Sequence, residues 1–95
     1  MRSYELMTIH RPELAESDYQ KLVEQTEEFL RSRGGAVEKR DLWGKRRFAY
    51  EINHLHEGYY SVLNFKAEPD VVDDLDRVLS LADLVVRHKI IRPDE

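Results

Sequence analysis

Three adjacent cations followed by alternating aromatic side chains are the feature of this sequence best suited to chemistry. Lys45, Arg46 and Arg47 stand side by side in a chain whose formal net charge is −4. The following segment, Phe48–Ile52, places large apolar residues at every second position, a period that predicts a β-strand. Cations pair with phosphates, and aromatic rings stack on exposed bases. The segment therefore favours contact with a single-stranded or looped nucleic acid.

The distribution of charge supports this interpretation although the overall charge is negative. Residues 13–33 carry six acidic and three basic side chains, and residues 68–83 carry six acidic and one basic. The rest of the chain therefore has a net charge of +4. A local excess of cations can form an electrostatic footprint for nucleic acid even in an acidic protein.

Residues suited to catalysis or metal binding are few. The chain contains no cysteine, and the pair His54 and His56 with Glu57 lacks a third nitrogen or sulfur ligand nearby. Two solvated histidines in a polar turn are the simpler interpretation, and His88 is expected to be a hydrogen-bonded core residue. The loop His10–Glu13 has no glycine with which to cradle an anion, as an acylphosphatase would require. We therefore expect no catalytic residue, no metal site and no cofactor.

Hydrophobic periodicity and turn residues predict four strands and two helices in the order βαββαβ. The first helix is expected to begin at Ser17, with Ser17 and Gln20 forming a capping box, and to end at Gly34. Pro69 is expected in the first turn of the second helix. The predicted strands are Arg2–His10, a long Val37–Asn53, Gly58–Ala67 and Leu84–Arg92, with a connection at His54–Glu57. In the long strand, Trp43 and Gly44 indicate a bulge, and a tight turn that splits the strand is the alternative.

This order predicts an α+β fold of the ferredoxin-like, split βαβ type, with a four-stranded antiparallel sheet and both helices on one face. The length fits a single domain, residues 1–95. The N-terminus is too polar for a signal peptide, and no apolar run reaches the ~20 residues of a membrane span. We therefore expect a cytoplasmic protein that does not enter a membrane.

Strand parity predicts an apolar patch on the sheet face away from the helices. If Val86 and Ile90 point toward the helices, Arg87 and Lys89 point away from them. The same face would carry four apolar side chains: Met7, Ile9, Tyr60 and Val62. An exposed apolar patch usually marks a binding partner. The long second strand would also lie at a sheet edge, where unpaired backbone groups can bind another chain.

The segment from Gly44 to Asn53 resembles the signature of one family, the bacterial ribosomal protein six family of the small subunit. The matching residues are Gly44, Arg46, Arg47, Ala49, Tyr50, Ile52 and Asn53, with Phe48 in place of the usual leucine. Other parts of the sequence also fit the pattern of this family: the start of the chain, Gly34, Gly58 and the second helix. The resemblance therefore covers the whole chain. The segment from Asp41 to Ile52 is most similar to the actinobacterial branch.

The resemblance implies a structural, non-catalytic protein of the cytoplasmic ribosome. It would bind small-subunit rRNA in the central domain beside ribosomal protein eighteen, without a small-molecule substrate, and would be a monomer when free. We expect the RNA-binding residues to be Arg2, Tyr4, Arg46, Arg47, Arg87, Lys89 and Arg92. We expect the protein partner to contact Trp43, Lys45, Phe48, Tyr50, Tyr60 and Val62. For Trp43, packing against protein, either its own or the partner's, is favoured over stacking on a base.

An alternative function is that of a dimeric small-molecule-binding or regulatory module, because ferredoxin-like domains of that class dimerise through their sheets. The strands that are apolar on both faces permit this alternative. The oligomeric state of the free protein separates the two: a monomer fits the ribosomal function, and a stable homodimer fits the regulatory one.

Overall fold

The protein folds into four strands and two helices, and the computed structural model describes residues 1–93. In chain order the elements are β1 (Arg2–His10), α1 (Glu16–Ser32), β2 (Ala36–Ile52), β3 (Leu55–Ala67), α2 (Pro69–Leu81) and β4 (Val85–Ile91). Asp94 and Glu95, the last two residues of the predicted domain, lie outside the described residues. Neither α1 nor α2 combines the length and apolar character needed to cross a membrane.

The four strands form one antiparallel sheet in the order β2-β3-β1-β4. The central strands β3 and β1 are flanked by β2 and β4, so the long strand β2 lies at a sheet edge as predicted. Both helices pack on the same face of this sheet, which confirms the ferredoxin-like βαββαβ fold. Because the edge of β2 has no neighbouring strand within residues 1–93, its outer backbone groups can accept another chain.

The core lies between the sheet and the two helices. Its largest fully buried side chains are Tyr19, Phe65, Leu6, Leu30, Leu63, Leu75 and Val23. From β4, Val85 and Ile90 pack against this core. The expected contact of Val86 is replaced by that of Val85, because the pairing register of β1 with β4 shifts between Ile9 and His10.

The ends of α1 agree only in part with the sequence prediction. The helix begins at Glu16, Ala15 is the N-cap, and no side chain caps the first turn. The capping box predicted at Ser17 is therefore wrong; Glu16 and Asp18 instead place negative charge near the positive end of the helix dipole. At the other end, Gly34 has a φ of +84°, and the Gly35 N–H donates to the Leu30 carbonyl at 2.8 Å. This pattern is the Schellman motif that a glycine at this position favours.

The strands β2 and β3 form a long hairpin, and the turn between them is shorter than the sequence predicted. The strand β2 is continuous from Ala36 to Ile52, which excludes the alternative of two short strands. The turn consists of Asn53 and His54 alone, with φ values of +50° and +65°. Two positive φ values in a two-residue loop are typical of a type I′ turn, whose twist matches that of the flanking strands. The expected connection at His54–Glu57 is therefore wrong, because β3 already begins at Leu55.

A partly buried ion pair between Arg40 and Glu27 attaches α1 to β2. The Arg40 Nη2 atom lies 2.5 Å from Glu27 Oε1, and Arg40 Nε donates to Glu27 Oε2 at 3.1 Å. The side chain of Glu27 is only 3% exposed. Because an unpaired buried carboxylate is strongly unfavourable, this bidentate pair holds the edge strand in place against the helix.

Candidate nucleic-acid interface

The sheet face away from the helices, here called the open face, brings together most of the residues predicted from strand parity. Its centre is formed by six side chains from three neighbouring strands: Met7, Ile9, Tyr60, Val62, Arg87 and Lys89. The pairings of Met7 with Val62 and Lys89, and of Ile9 with Tyr60 and Arg87, follow from the register. Residues paired across antiparallel strands point to the same face, so the predicted parity is confirmed.

The open face is less apolar than the sequence indicated. Ile9 and Val62 are each only 6% exposed, although no helix covers them. Neighbouring side chains of the same chain cover this surface, because the ring of Phe48 approaches Gly58 beside Ile9, and Ile52 reaches the cavity next to Met7. The expectation of an exposed apolar patch is therefore wrong for Ile9 and Val62, whereas Met7 and Tyr60 are partly exposed, and a partner can touch little of Val62.

An aromatic cluster lies where the open face meets the edge strand. The rings of Trp43 and Tyr60 stack with centroids 5.8 Å apart and an angle of 12°, and Phe48 meets Tyr60 edge-on at 6.1 Å. The guanidinium of Arg46 lies 5.8 Å from the Trp43 ring centre. Trp43 remains 43% exposed and Tyr50 85% exposed. The packing predicted for Trp43 is thus within its own chain, and both rings still offer surface to a partner.

The bulge that orients Trp43 is supported from beneath by α1. The register of β2 against β3 shifts between Leu42 and Gly44, and Gly44 has a φ of +77°. The Tyr19 hydroxyl donates to the Tyr60 carbonyl and accepts the Gly44 N–H at 3.4 Å. Burial raises the pKa of Tyr19, so the hydroxyl keeps the proton that it donates. The sequence marked Tyr19 only as part of a helical apolar stripe, and its contact with the bulge is a long-range one that no local pattern reveals.

The three adjacent cations do not share one face. Arg46 pairs with Gly58 and points to the open face, whereas Lys45 and Arg47 pair with Tyr59 and Glu57 on the opposite face. Lys45 lies over the ring of Tyr59 at 5.2 Å. Alternation along a strand separates neighbours in this way, so the triplet divides between two surfaces. Lys45 therefore lies apart from the aromatic cluster with which it was grouped.

Three predicted RNA-binding residues lie away from the open face. Tyr4 is only 6% exposed, and its ring stacks on Phe65 in the core at 5.6 Å. The expectation that Tyr4 contacts RNA is therefore not supported by its position, because the ring has no free face. Arg2 pairs with Ala67 at the far end of the sheet, and Arg92 follows β4 near the same end.

The cations of the open face are available for an anionic ligand. Among residues 1–93, no carboxylate forms an ion pair with Arg46, Arg87 or Lys89. All three are exposed. The acidic helices lie on the other side of the sheet, so Arg46, Arg87 and Lys89 stand on the face away from the helical carboxylates.

Three of the four histidines, His10, His54 and His88, occupy different environments. His54 Nδ1 lies 3.5 Å from Glu51 on the surface, and His88 Nε2 lies 2.7 Å from Asp76 Oδ1 on the helix side. Burial lowers the pKa of His10 to about 4. Within the described part of the chain, no group of three metal-binding side chains occurs. The hydrogen-bonded position expected for His88 is confirmed.

Comparison with known proteins identifies the family. The pattern of the family described as ribosomal protein S6 matches residues 3–92. A small ribosomal subunit protein bS6 from Symbiobacterium thermophilum is 52% identical over all 95 residues of both chains. The bS6 protein of the actinobacterium Streptomyces coelicolor is 47% identical, over 99% of this chain and 98% of its own length.

A solved structure agrees with this assignment. The 30S ribosomal protein S6 from Thermotoga maritima superimposes with a TM-score of 0.92 and is 30% identical, covering 98% of this chain and 88% of its own. The resemblance read from the Gly44–Asn53 signature is thus confirmed, as is the expectation that the protein is not an enzyme. From fold, signature and relatives together, the chain belongs to the ribosomal protein S6 family, whose members are structural, non-catalytic proteins of the small ribosomal subunit.

Proposed function

We propose that this protein is a structural component of the small ribosomal subunit in the cytoplasm, where it binds rRNA of the central domain together with ribosomal protein eighteen. The observation that carries the proposal is the one-sided placement of charge. Within residues 1–93, Arg46, Arg87 and Lys89 form no ion pair on the open face, and the carboxylates of α1 and α2 lie behind the sheet. Phosphate contacts from such cations supply most of the sequence-independent affinity for RNA.

A protein partner is supported by the edge strand and its aromatic cluster. The net charge of −4 weakens the attraction of the free protein to RNA, and a basic partner would supply the missing positive charge. The long edge of β2 offers backbone groups, and Trp43 and Tyr50 offer exposed rings beside it. Exposed aromatic residues are common anchors of protein interfaces. We place the contact with ribosomal protein eighteen at this edge.

Two neighbouring arginines allow a matched test of this contact between the edge of β2 and ribosomal protein eighteen. Arg46→Glu and Arg47→Glu make the same change of charge at adjacent positions on opposite faces of β2. We expect Arg46→Glu to weaken binding of purified ribosomal protein eighteen, without RNA, by at least about tenfold, because the variant loses the guanidinium that lies over the exposed Trp43 ring, and arginine and tryptophan are common interface anchors. Arg47→Glu should stay within about threefold of the wild type. Equal binding by the wild type and both variants would show that the bulge is not part of the contact with ribosomal protein eighteen.

A second measurement tests the RNA part of the function. The pair of proteins should bind a central-domain rRNA fragment, and the wild-type protein should sediment with small subunits in moderate salt. The free protein should elute as a monomer in size-exclusion chromatography. A stable homodimer that fails to bind the fragment would instead support the regulatory module.

A further inference from the structure

We infer that the open face holds one unstacked RNA base in the cavity between Tyr60 and β4, with the adjoining phosphates on Arg87 and Lys89. This inference rests on the proposed RNA-binding function and adds a specific nucleotide site to it. The cavity has a volume of about 280 Å³, and its lining includes Met7, Ile9 and Ile52. Pockets for drug-sized ligands range from about 300 to 1,000 Å³, so this one suits a single planar group.

The order of the strands places Tyr60 between the side chains of β2 and those of β1. Tyr60 lies on β3, between β2 on one side and β1 on the other. Trp43 of β2 stacks on the ring at 5.8 Å from the first side. The cavity is lined by Tyr60 together with Met7 and Ile9 of β1. A base in the cavity would therefore contact Tyr60, the ring on which Trp43 stacks.

The remaining walls also fit a base. Ile9 and Met7 form an apolar floor, and Ile52 closes the cavity from the hairpin. Aromatic stacking on an unstacked base is the usual means by which a sheet binds single-stranded or looped RNA. Such a site does not require the base to be paired, so the proposal concerns a loop, a bulge or an end of the rRNA.

The two cations at the rim favour RNA over a protein side chain in this cavity. Arg87 and Lys89 line the cavity from β4, and neither forms an ion pair within residues 1–93. The backbone phosphates on either side of an inserted base would lie near this rim, because the sugar–phosphate chain must leave the cavity at its mouth. An apolar side chain from a partner would fill the same walls but would leave both charges without a counter-ion.

The decisive experiment observes the methyl group of Met7 in the assembled complex. The full chain, labelled with ¹³C at methionine methyl groups, is combined with ribosomal protein eighteen and a central-domain rRNA fragment, and intermolecular nuclear Overhauser effects are recorded. Met1 provides an internal comparison outside the cavity, since it lies at the start of the chain and is 66% exposed. We expect contacts from Met7 to base protons of the RNA. Contacts only to protons of the partner protein, or none to RNA, would overturn the inference.

Binding of the same fragment by three variants gives an independent result. Met7→Phe fills the cavity, Tyr60→Leu removes the stacking ring, and Ile91→Phe adds an aromatic ring on the open face outside the cavity. We expect Met7→Phe and Tyr60→Leu to weaken binding about tenfold, the lower part of the range for base–aromatic stacking. Ile91→Phe should stay within about twofold. Wild-type affinity of Met7→Phe would contradict the nucleotide site.

The two results also separate this inference from the function on which it rests. If the wild-type complex forms and Met7 shows no RNA contact, the nucleotide site is wrong and the proposed function stands. If the wild-type proteins do not bind the rRNA fragment at all, the proposed function fails, and the nucleotide site fails with it. Thermal unfolding of each variant verifies that the fold is intact.

Discussion

The hydroxyl of Tyr19 connects the helix layer to the bulge that presents Trp43. Because it donates to the Tyr60 carbonyl and accepts from the Gly44 N–H, Tyr19→Phe leaves both backbone groups without this partner. We expect the free energy of unfolding to fall by about 1–2 kcal/mol, the cost of unsatisfied buried polar groups. Urea unfolding monitored by circular dichroism measures this change.

A second tyrosine provides the control for that substitution. Tyr59 is also buried and stacks on Tyr19 with ring centroids 4.6 Å apart. In the described chain its hydroxyl makes none of the bulge contacts that Tyr19 makes. Tyr59→Phe should therefore cost less than about half as much as Tyr19→Phe. Equal losses would show that the bulge contacts contribute nothing beyond the packing of the ring.

The buried His10 makes stability sensitive to mild acid. Burial lowers the pKa of His10 to about 4, whereas an unfolded histidine titrates near 6.5. The unfolded chain therefore binds a proton first as the pH falls, and the stability present above pH 6.5 is lost progressively toward pH 4. We expect a loss of about 2 kcal/mol between pH 7.5 and pH 5.

Unfolding free energies at these two pH values test this prediction. His10→Gln cannot titrate and should lose about 2 kcal/mol less than the wild type over the same interval. His54→Gln is the matched control, because the side chain of His54 is 98% exposed. If His10→Gln and the wild type show the same pH dependence, another group is responsible.

At the scale of the elements, local sequence patterns predicted the features that depend on neighbouring residues alone. The bulge followed from Trp43 and Gly44 in an otherwise regular strand, and the end of α1 followed from Gly34. The turn at Asn53–His54 was misplaced because it lacks the glycine that usually marks a type I′ turn.

Burial on the open face was harder to predict than its composition. Parity assigned Ile9 and Val62 to the correct face, but it carries no information about the twist of the hairpin beside them. The covering contacts of Phe48 and Ile52 join residues distant in sequence, as does the contact of Tyr19 with the bulge. Such tertiary contacts depend on how whole elements pack, and the alternation of side chains along one strand carries no information about that packing.

The two faces of the molecule should respond differently to changes of charge. Asp73→Lys adds positive charge on α2, and Lys89→Glu adds negative charge on the open face. Suppose that the position of a charge controls the affinity for the rRNA fragment in the presence of the partner. Asp73→Lys should then bind within about twofold of the wild type. Lys89→Glu should bind at least about tenfold more weakly.

This pair of variants also tests the opposite view, in which net charge alone controls binding. In that case Asp73→Lys would strengthen binding by a factor similar to the loss in Lys89→Glu. Native gel shifts at one fixed salt concentration are sufficient for the comparison. Loss of binding by Asp73→Lys with its fold intact would place the RNA on the helix side.

For the whole molecule, the division of charge between two layers explains how an acidic protein can serve an RNA assembly. The helices keep carboxylates on the side away from the open face, and the edge of β2 is where we propose that a second protein binds. Neither layer is sufficient alone, since the core that joins them also sets the position of the bulge through Tyr19.

The salt dependence of assembly tests the central claim most directly. The affinity of the protein pair for the central-domain rRNA fragment is measured over a series of salt concentrations for the wild type and for Arg87→Gln/Lys89→Gln. Each phosphate contact contributes about 0.7–0.9 to the slope of log affinity against log salt. We predict that the slope of the double variant is shallower by about 1.4–1.8. An unchanged slope with intact folding would contradict the assignment of the open face to RNA.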